Sequence, residues 1–154
     1  MQTITPYLWF DGKAEEAMNF YLSVFPNSRT VNIARGPGGG VMTVTFELNG
    51  QRFMALNGGA HFQFTEAISL FVNCETQEEV DAYWGRLCEG GKPGRCGWLK
   101  DRFGVSWQVV PSALGRLIGG ADRERAGRAL AAMMGMSKIE IAGLQAAYDG
   151  REPV

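Results

Sequence analysis

Apolar and polar positions along the chain change period in a fixed order. Residues 4–10 are rich in β-branched and aromatic side chains and predict a strand, with Pro6 marking its entry or an edge. Asp11-Gly12 breaks it. Over residues 13–25, Ala14, Ala17, Met18, Tyr21 and Val24 follow helical spacing, and Pro26-Asn27 ends the helix. Residues 29–34 alternate around Val31 and Ile33, residues 36–40 turn the chain, and residues 41–48 read as the next strand. Asn49-Gly50 then predicts a hairpin into residues 51–56. The order is strand, helix, three strands.

Residues 57–66 form a polar, glycine-containing connection that holds His61, and the pattern then restarts. Residues 67–72 are strongly apolar and predict a strand. Thr76-Gln77-Glu78-Glu79 is a capping box, and the helix after it carries Val80, Tyr83, Trp84, Leu87 and Cys88 before Gly90-Gly91. Two or three short strands fill residues 92–110, the clearest at 105–110. Beyond Pro111 the period is helical: residues 112–118, then a helix capped by Asp122 with Ala126, Ala129, Leu130 and Met133 on one face. A last helix after the box Ser137-Lys138-Ile139-Glu140 carries Ile141, Leu144 and Tyr148.

An internal repeat underlies the restart. Glu15-Glu16-Ala17-Met18-Asn19-Phe20-Tyr21 matches Glu78-Glu79-Val80-Asp81-Ala82-Tyr83-Trp84 at an offset of 63 residues. Gly50-Gln51-Arg52-Phe53-Met54-Ala55-Leu56 matches Gly104-Val105-Ser106-Trp107-Gln108-Val109-Val110. Two matches in the same order indicate a duplicated unit, each half too small to bury a stable core alone.

Composition narrows the chemistry. Glycine supplies 21 of 154 residues, about twice the usual share, which suits many tight turns between short strands. The net charge of -1 provides no positive field for nucleic acid or an anionic membrane. No apolar run approaches the roughly 18 residues of a membrane span, and the N-terminus lacks the look of a signal peptide, so a cytoplasmic location is expected. One histidine and three cysteines without a C-x-x-C pair argue against a disulfide framework or a structural zinc site.

Pro6-Tyr7-Leu8-Trp9-Phe10-Asp11-Gly12-Lys13-Ala14-Glu15-Glu16-Ala17, followed by Phe20-Tyr21, resembles the PhnB-like branch of the vicinal oxygen chelate superfamily. This superfamily gathers glyoxalases, bleomycin resistance proteins and dioxygenases. Phe53-Met54-Ala55-Leu56-Asn57-Gly58-Gly59, Ala67-Ile68-Ser69-Leu70-Phe71-Val72, and the stretch from Cys96-Gly97-Trp98-Leu99-Lys100-Asp101-Arg102 to Phe103-Gly104-Val105-Ser106-Trp107-Gln108 carry the same likeness. The resemblance implies an α+β, glyoxalase-like fold. Two tandem βαβββ units, about 1–57 and 67–110, would form curved mixed sheets within a domain 1–111, followed by a C-terminal helical extension, 112–154. It also implies cups that hold a small-molecule ligand, often with a divalent metal, and a homodimer. The extension would pack on its own sheet or cross to a partner.

Metal-dependent members of the superfamily place His, Glu or Gln on the first and closing strands of each unit. Counting from Tyr21 and Trp84 puts those positions near Pro6 and Ser69, and at Met54 and Gln108. Only Gln108 can ligate, so neither a metal nor another cofactor is expected. The candidate ligand-binding residues are Trp9, Met54, His61, Trp98, Trp107 and Gln108. No catalytic set is evident, although His61 and Gln108 are the residues that could contribute to one. Each has a structural alternative: core packing for the tryptophans, a satisfied amide for Gln108, a solvated loop for His61. The glycines at 36–40 read as a plain turn, because no helix N-terminus follows them. Cys96 near Lys100 and Arg102, the pair Asp101-Arg102, and Arg123, Arg125 and Arg128 are each assigned structural roles.

The resulting expectation is a metal-free small-molecule binding protein. The alternatives are a glyoxalase-type lyase, isomerase or dioxygenase, and an interaction module dimerising through its helical tail. Whether the chain is an enzyme stays open. The PhnB-like branch often carries a demethylubiquinone methyltransferase label, but no glycine-rich strand-to-helix loop for adenosylmethionine is present, so methyl transfer ranks last.

Overall fold

Proline fixes where the first strand begins. Pro6 cannot donate to a sheet ladder, and in the computed structural model, which describes residues 3–152, strand β1 (Tyr7–Phe10) starts directly after it. Ile4, expected within the strand, is instead 85% exposed. Helix α1 (Ala14–Val24) follows. Lys13 supplies no side-chain cap; the orphan amide of Ala14 is satisfied from afar by Asn57 Oδ1 at 2.9 Å. Strands β2 (Arg29–Arg35), β3 (Val41–Leu48) and β4 (Gln51–Asn57) complete a sheet of order β1-β4-β3-β2, with β1 parallel to β4 and the other pairs antiparallel. The buried stripe of α1, with Ala17, Met18 and Tyr21, belongs with Val44, Phe46 and Ala55 to the core. Tyr21 stacks on Phe46, and Phe46 on Phe53. Each large side chain buried in this way contributes roughly 1.5–3 kcal/mol.

The second unit repeats the plan with β5 (Leu70–Cys74), α2 (Gln77–Cys88), β6 (Lys92–Pro93), β7 (Trp98–Lys100) and β8 (Ser106–Pro111), in the order β5-β8-β7-β6. Again the first strand runs parallel to the last. Thr76 caps α2 by accepting from the Glu79 amide, as its capping box predicts. Strand β5 starts at Leu70 rather than at residue 67, and Ile68 is 71% exposed. The run from 67 to 72 has no alternation, so its pattern could not set the register; pairing with β8 does. That pairing also moves the repeat by one residue. Tyr7 lies opposite Met54 and Phe71 opposite Gln108, which makes Thr5, not Pro6, the counterpart of Ser69.

The chain divides into compact units between Phe64 and Thr65, and the C-terminal helices belong to the second. These are α3 (Ser112–Ile118), α4 (Arg123–Met134) and α5 (Ile141–Tyr148). Asp122 caps α4 through the Arg125 amide. On α4, Ala126 and Ala129 are buried, but Leu130, expected on the same face, is 43% exposed. The capping box at residues 137–140 does not form. Ser137 donates its hydroxyl to Gly94 O instead, and the amide of Ile141 is satisfied by Gln77 Oε1 at 2.7 Å. The tail is stitched to its own sheet by two further backbone bonds: the amides of Cys96 and Gly97 donate to Met136 O and Ser137 O, each at 2.8 Å. Ile139 and Leu144 are fully buried with Val110 and Leu114. No helix among the described residues is long and apolar enough to cross a membrane.

Candidate functional site

Register across the second sheet assembles the site. Phe71 on β5 and Trp98 on β7 both lie opposite Gln108 on β8, so the three form a row across the sheet. Asn73 and Val110, paired two positions on, continue that face. Pro111 ends β8, and α3 begins at once. Leu114, Gly115, Arg116 and Ile118 of α3, with Met133 of α4, supply the opposing wall. A cavity of about 570 Å³ remains between sheet and helices. That volume and its mostly apolar lining are those of a small-molecule site.

Polar groups are few and specific. Gln108 Nε2 donates to Ser69 Oγ at 3.0 Å, which leaves Oε1 as its acceptor. Arg116 is the only charged side chain lining the cavity. Ser112 lies at the rim, its hydroxyl donating to Glu75 Oε1 at 2.7 Å. Cys96 lines the cavity too. Cys74, at the end of β5, is buried, and burial followed by the charges of Glu79 and Glu75 pushes its thiol up to about 11.

Of the sequence-predicted residues, Trp98 and Gln108 come together here. Trp107, on the alternate face of β8, is 2% exposed and donates its indole N–H to Asp101 Oδ2 at 2.9 Å. Trp9 lies in the first unit, where its Nε1 donates to Gly59 O at 2.9 Å and its ring meets the edge of Phe62. A Cβ on Gly58 would run into that indole. Met54 is half-buried in β4 opposite Tyr7 and Thr45, and His61 is exposed in the connection. Sequence reasoning missed Phe71, Val110, Leu114, Arg116 and Met133. The signal for Phe71 was its place two residues from Ser69 on one strand; the tail residues had none, because helical period does not say which element a helix covers.

With the observed register, the positions that the resemblance assigns to metal ligands fall at Thr5 and Met54 in one unit, and at Ser69 and Gln108 in the other. A thioether, two neutral hydroxyls and one amide, with no imidazole or carboxylate among them, do not fit a catalytic divalent cation. Among the described residues, no group of three or more His, Cys, Asp or Glu side chains is placed to hold a metal ion.

Residues 2–110 match the family model described as 3-demethylubiquinone-9 3-methyltransferase. No match is found among curated proteins. Among solved structures, the PhnB protein from Bacillus cereus, named for the same family, is 43% identical with a TM-score of 0.68, over 72% of this chain and 100% of that one. A protein from Pseudomonas aeruginosa is 21% identical with a TM-score of 0.60, over 72% and 98%. The fosfomycin resistance protein FosX from Listeria monocytogenes, solved with Mn(II) and sulfate, shares the fold at 14% identity and a TM-score of 0.54, over 71% and 92%. Fold, duplicated plan and family match agree: the chain belongs to the PhnB-like, 3-demethylubiquinone-9 3-methyltransferase family of the vicinal oxygen chelate superfamily.

Proposed function

We propose that this protein binds a small organic molecule, without a metal, in the cavity between the second sheet and helices α3 and α4. The observation that carries the reading is the cavity of about 570 Å³ with Phe71, Gln108 and Trp98 in one row at its floor. The donor set at the superfamily's metal positions supports the metal-free part. Methyl transfer draws no support from the strand-to-helix junctions. These are Asp11-Gly12-Lys13, Glu75-Thr76 and the direct step from Pro111 to Ser112, none a glycine-rich loop, in sheets with a single parallel pair each.

The test uses the neutral fluorophore N-phenyl-1-naphthylamine. It should bind at one saturable site per chain. Gly115→Phe should weaken that binding strongly, because Gly115 lines the cavity, a Cβ there meets nothing within 4 Å, and a ring at that position takes up space at the cavity wall. The melting temperature should hold or rise. Equal binding by both proteins would reject the site. Stoichiometric uptake of Mn(II) or Zn(II), read as a rise in melting temperature by mass action, would reject its metal-free character.

A further inference from the structure

We propose that the C-terminal helices make this cavity selective for an amphipathic monoanion, its flat apolar body lying on the sheet and its single acidic group meeting Arg116. The inference rests on the cavity being the binding site, and it names what that site selects. Everything in the family match ends at residue 110, and the whole Bacillus cereus relative is spanned by 72% of this chain. Leu114, Arg116, Ile118 and Met133 lie beyond that boundary. The wall that faces the sheet therefore comes from outside the stretch that the family model matches.

Charge gives the selectivity its sign. Eight of the other ten arginines sit within 4 Å of a carboxylate; Arg95 and Arg123 do not, but neither lines the cavity. Arg116 has no such partner among the described residues, and no acidic side chain lines the cavity beside it. A guanidinium beside an apolar wall pairs well with one anionic group, through a charge-assisted hydrogen bond. The body is specified by Phe71, which is 59% exposed beside the cavity, and by Trp98 across Gln108. Two aromatic side chains flanking an amide favour a flat apolar body. Gln108 Oε1 would accept from a hydroxyl or amine on it.

The experiment pairs two probes with one body: N-phenyl-1-naphthylamine, which is neutral, and 8-anilinonaphthalene-1-sulfonate, which adds one anionic group. Wild type should bind the sulfonate more tightly. Arg116→Gln should weaken the sulfonate roughly tenfold, and far more than it weakens the neutral probe. Raising salt should weaken only the sulfonate, and only in wild type. If the neutral probe binds and is strongly weakened in Gly115→Phe while Arg116→Gln leaves the sulfonate unchanged, the binding site stands and the anion selectivity is overturned. If neither probe binds wild type, or Gly115→Phe affects neither, the site itself is wrong and the selectivity falls with it. Arg116 is exposed, so Arg116→Gln should leave the melting temperature unchanged, which keeps these outcomes readable.

Discussion

Trp107 donates its indole N–H to Asp101 Oδ2 at 2.9 Å, and both side chains are within 3% of complete burial. The other carboxylate oxygen accepts from the amides of Phe103 and Val105, at 2.8 and 3.1 Å. One acidic side chain thus closes the turn between β7 and β8 and holds the central strand of the second sheet. Asp101→Asn should cost about 2–3 kcal/mol, because its new NH2 group must face either the indole or the two amides, all of them donors. Urea unfolding measures it. A cost below about 0.5 kcal/mol would mean that water reaches the turn.

Gly97 and Gly12 both hold positive φ, at 84° and 74°, in different surroundings. A Cβ at Gly12 meets nothing within 4 Å, whereas one at Gly97 would lie 2.9 Å from Val109 O and from Ile139 Cδ1. Gly12→Ala should cost only the backbone strain, about 1 kcal/mol. Gly97→Ala should cost roughly 2–4 kcal/mol, since strain and overpacking add. Equal shifts in the urea midpoint would show that the tail yields to the extra methyl.

The duplicated plan was legible because its signals are local: alternation, helical spacing, Asn49-Gly50, and the caps at Thr76 and Asp122. Gln108 was legible as a candidate because the closing-strand repeat pairs it with Met54, and Trp98 as one of the tryptophans on strands. Trp107 was not separable from them. Neighbours on a strand face opposite ways, and the sequence does not say which face the helix takes. The failed capping box at Ser137 shows the limit most clearly. Its residues fit the motif, but Gly94 O and Gln77 lie 43 and 64 residues from their partners and win through tertiary contact.

Cys74 ties stability to alkaline pH. Its thiol is raised from 9.0 to about 11 by burial and by the nearby Glu79 and Glu75. Below pH 9, folded and unfolded chains both keep the proton, so stability does not depend on this group. Between 9 and about 11 the unfolded chain releases its proton and the folded one does not, so stability falls as pH rises. The full loss is on the order of 2–3 kcal/mol. The urea midpoint should therefore drop more steeply between pH 8.5 and about 10.5 in the native protein than in Cys74→Ala. Parallel slopes would show that the thiol is not burdened by burial.

Gln77 is the hinge pin of the tail. From the first turn of α2 its Nε2 donates to Ile139 O at 3.0 Å, while its Oε1 accepts from Ile141 N at 2.7 Å. One amide thereby satisfies both backbone groups where α5 begins, in place of a local cap. Lys138 adds an ion pair to Asp81 on the same helix; the Lys138 ammonium, then the Gln77 amide, hold that carboxyl below its usual range. Gln77→Ala should leave the sheet intact and cost about 1–3 kcal/mol, through the lost hydrogen bonds to Ile139, Ile141 and Asp81 and an unpaired Ile141 amide. Hydrogen exchange should locate the effect, with faster exchange at Ile141 and along α5 but not in β8 or α1. Gln77→Glu separates the two bonds. It keeps the acceptor for Ile141 and loses the donor to Ile139, so its α5 should exchange at an intermediate rate. If neither variant changes exchange in α5, burial of Ile139 and Leu144 alone secures the tail, and the amide clamp is incidental.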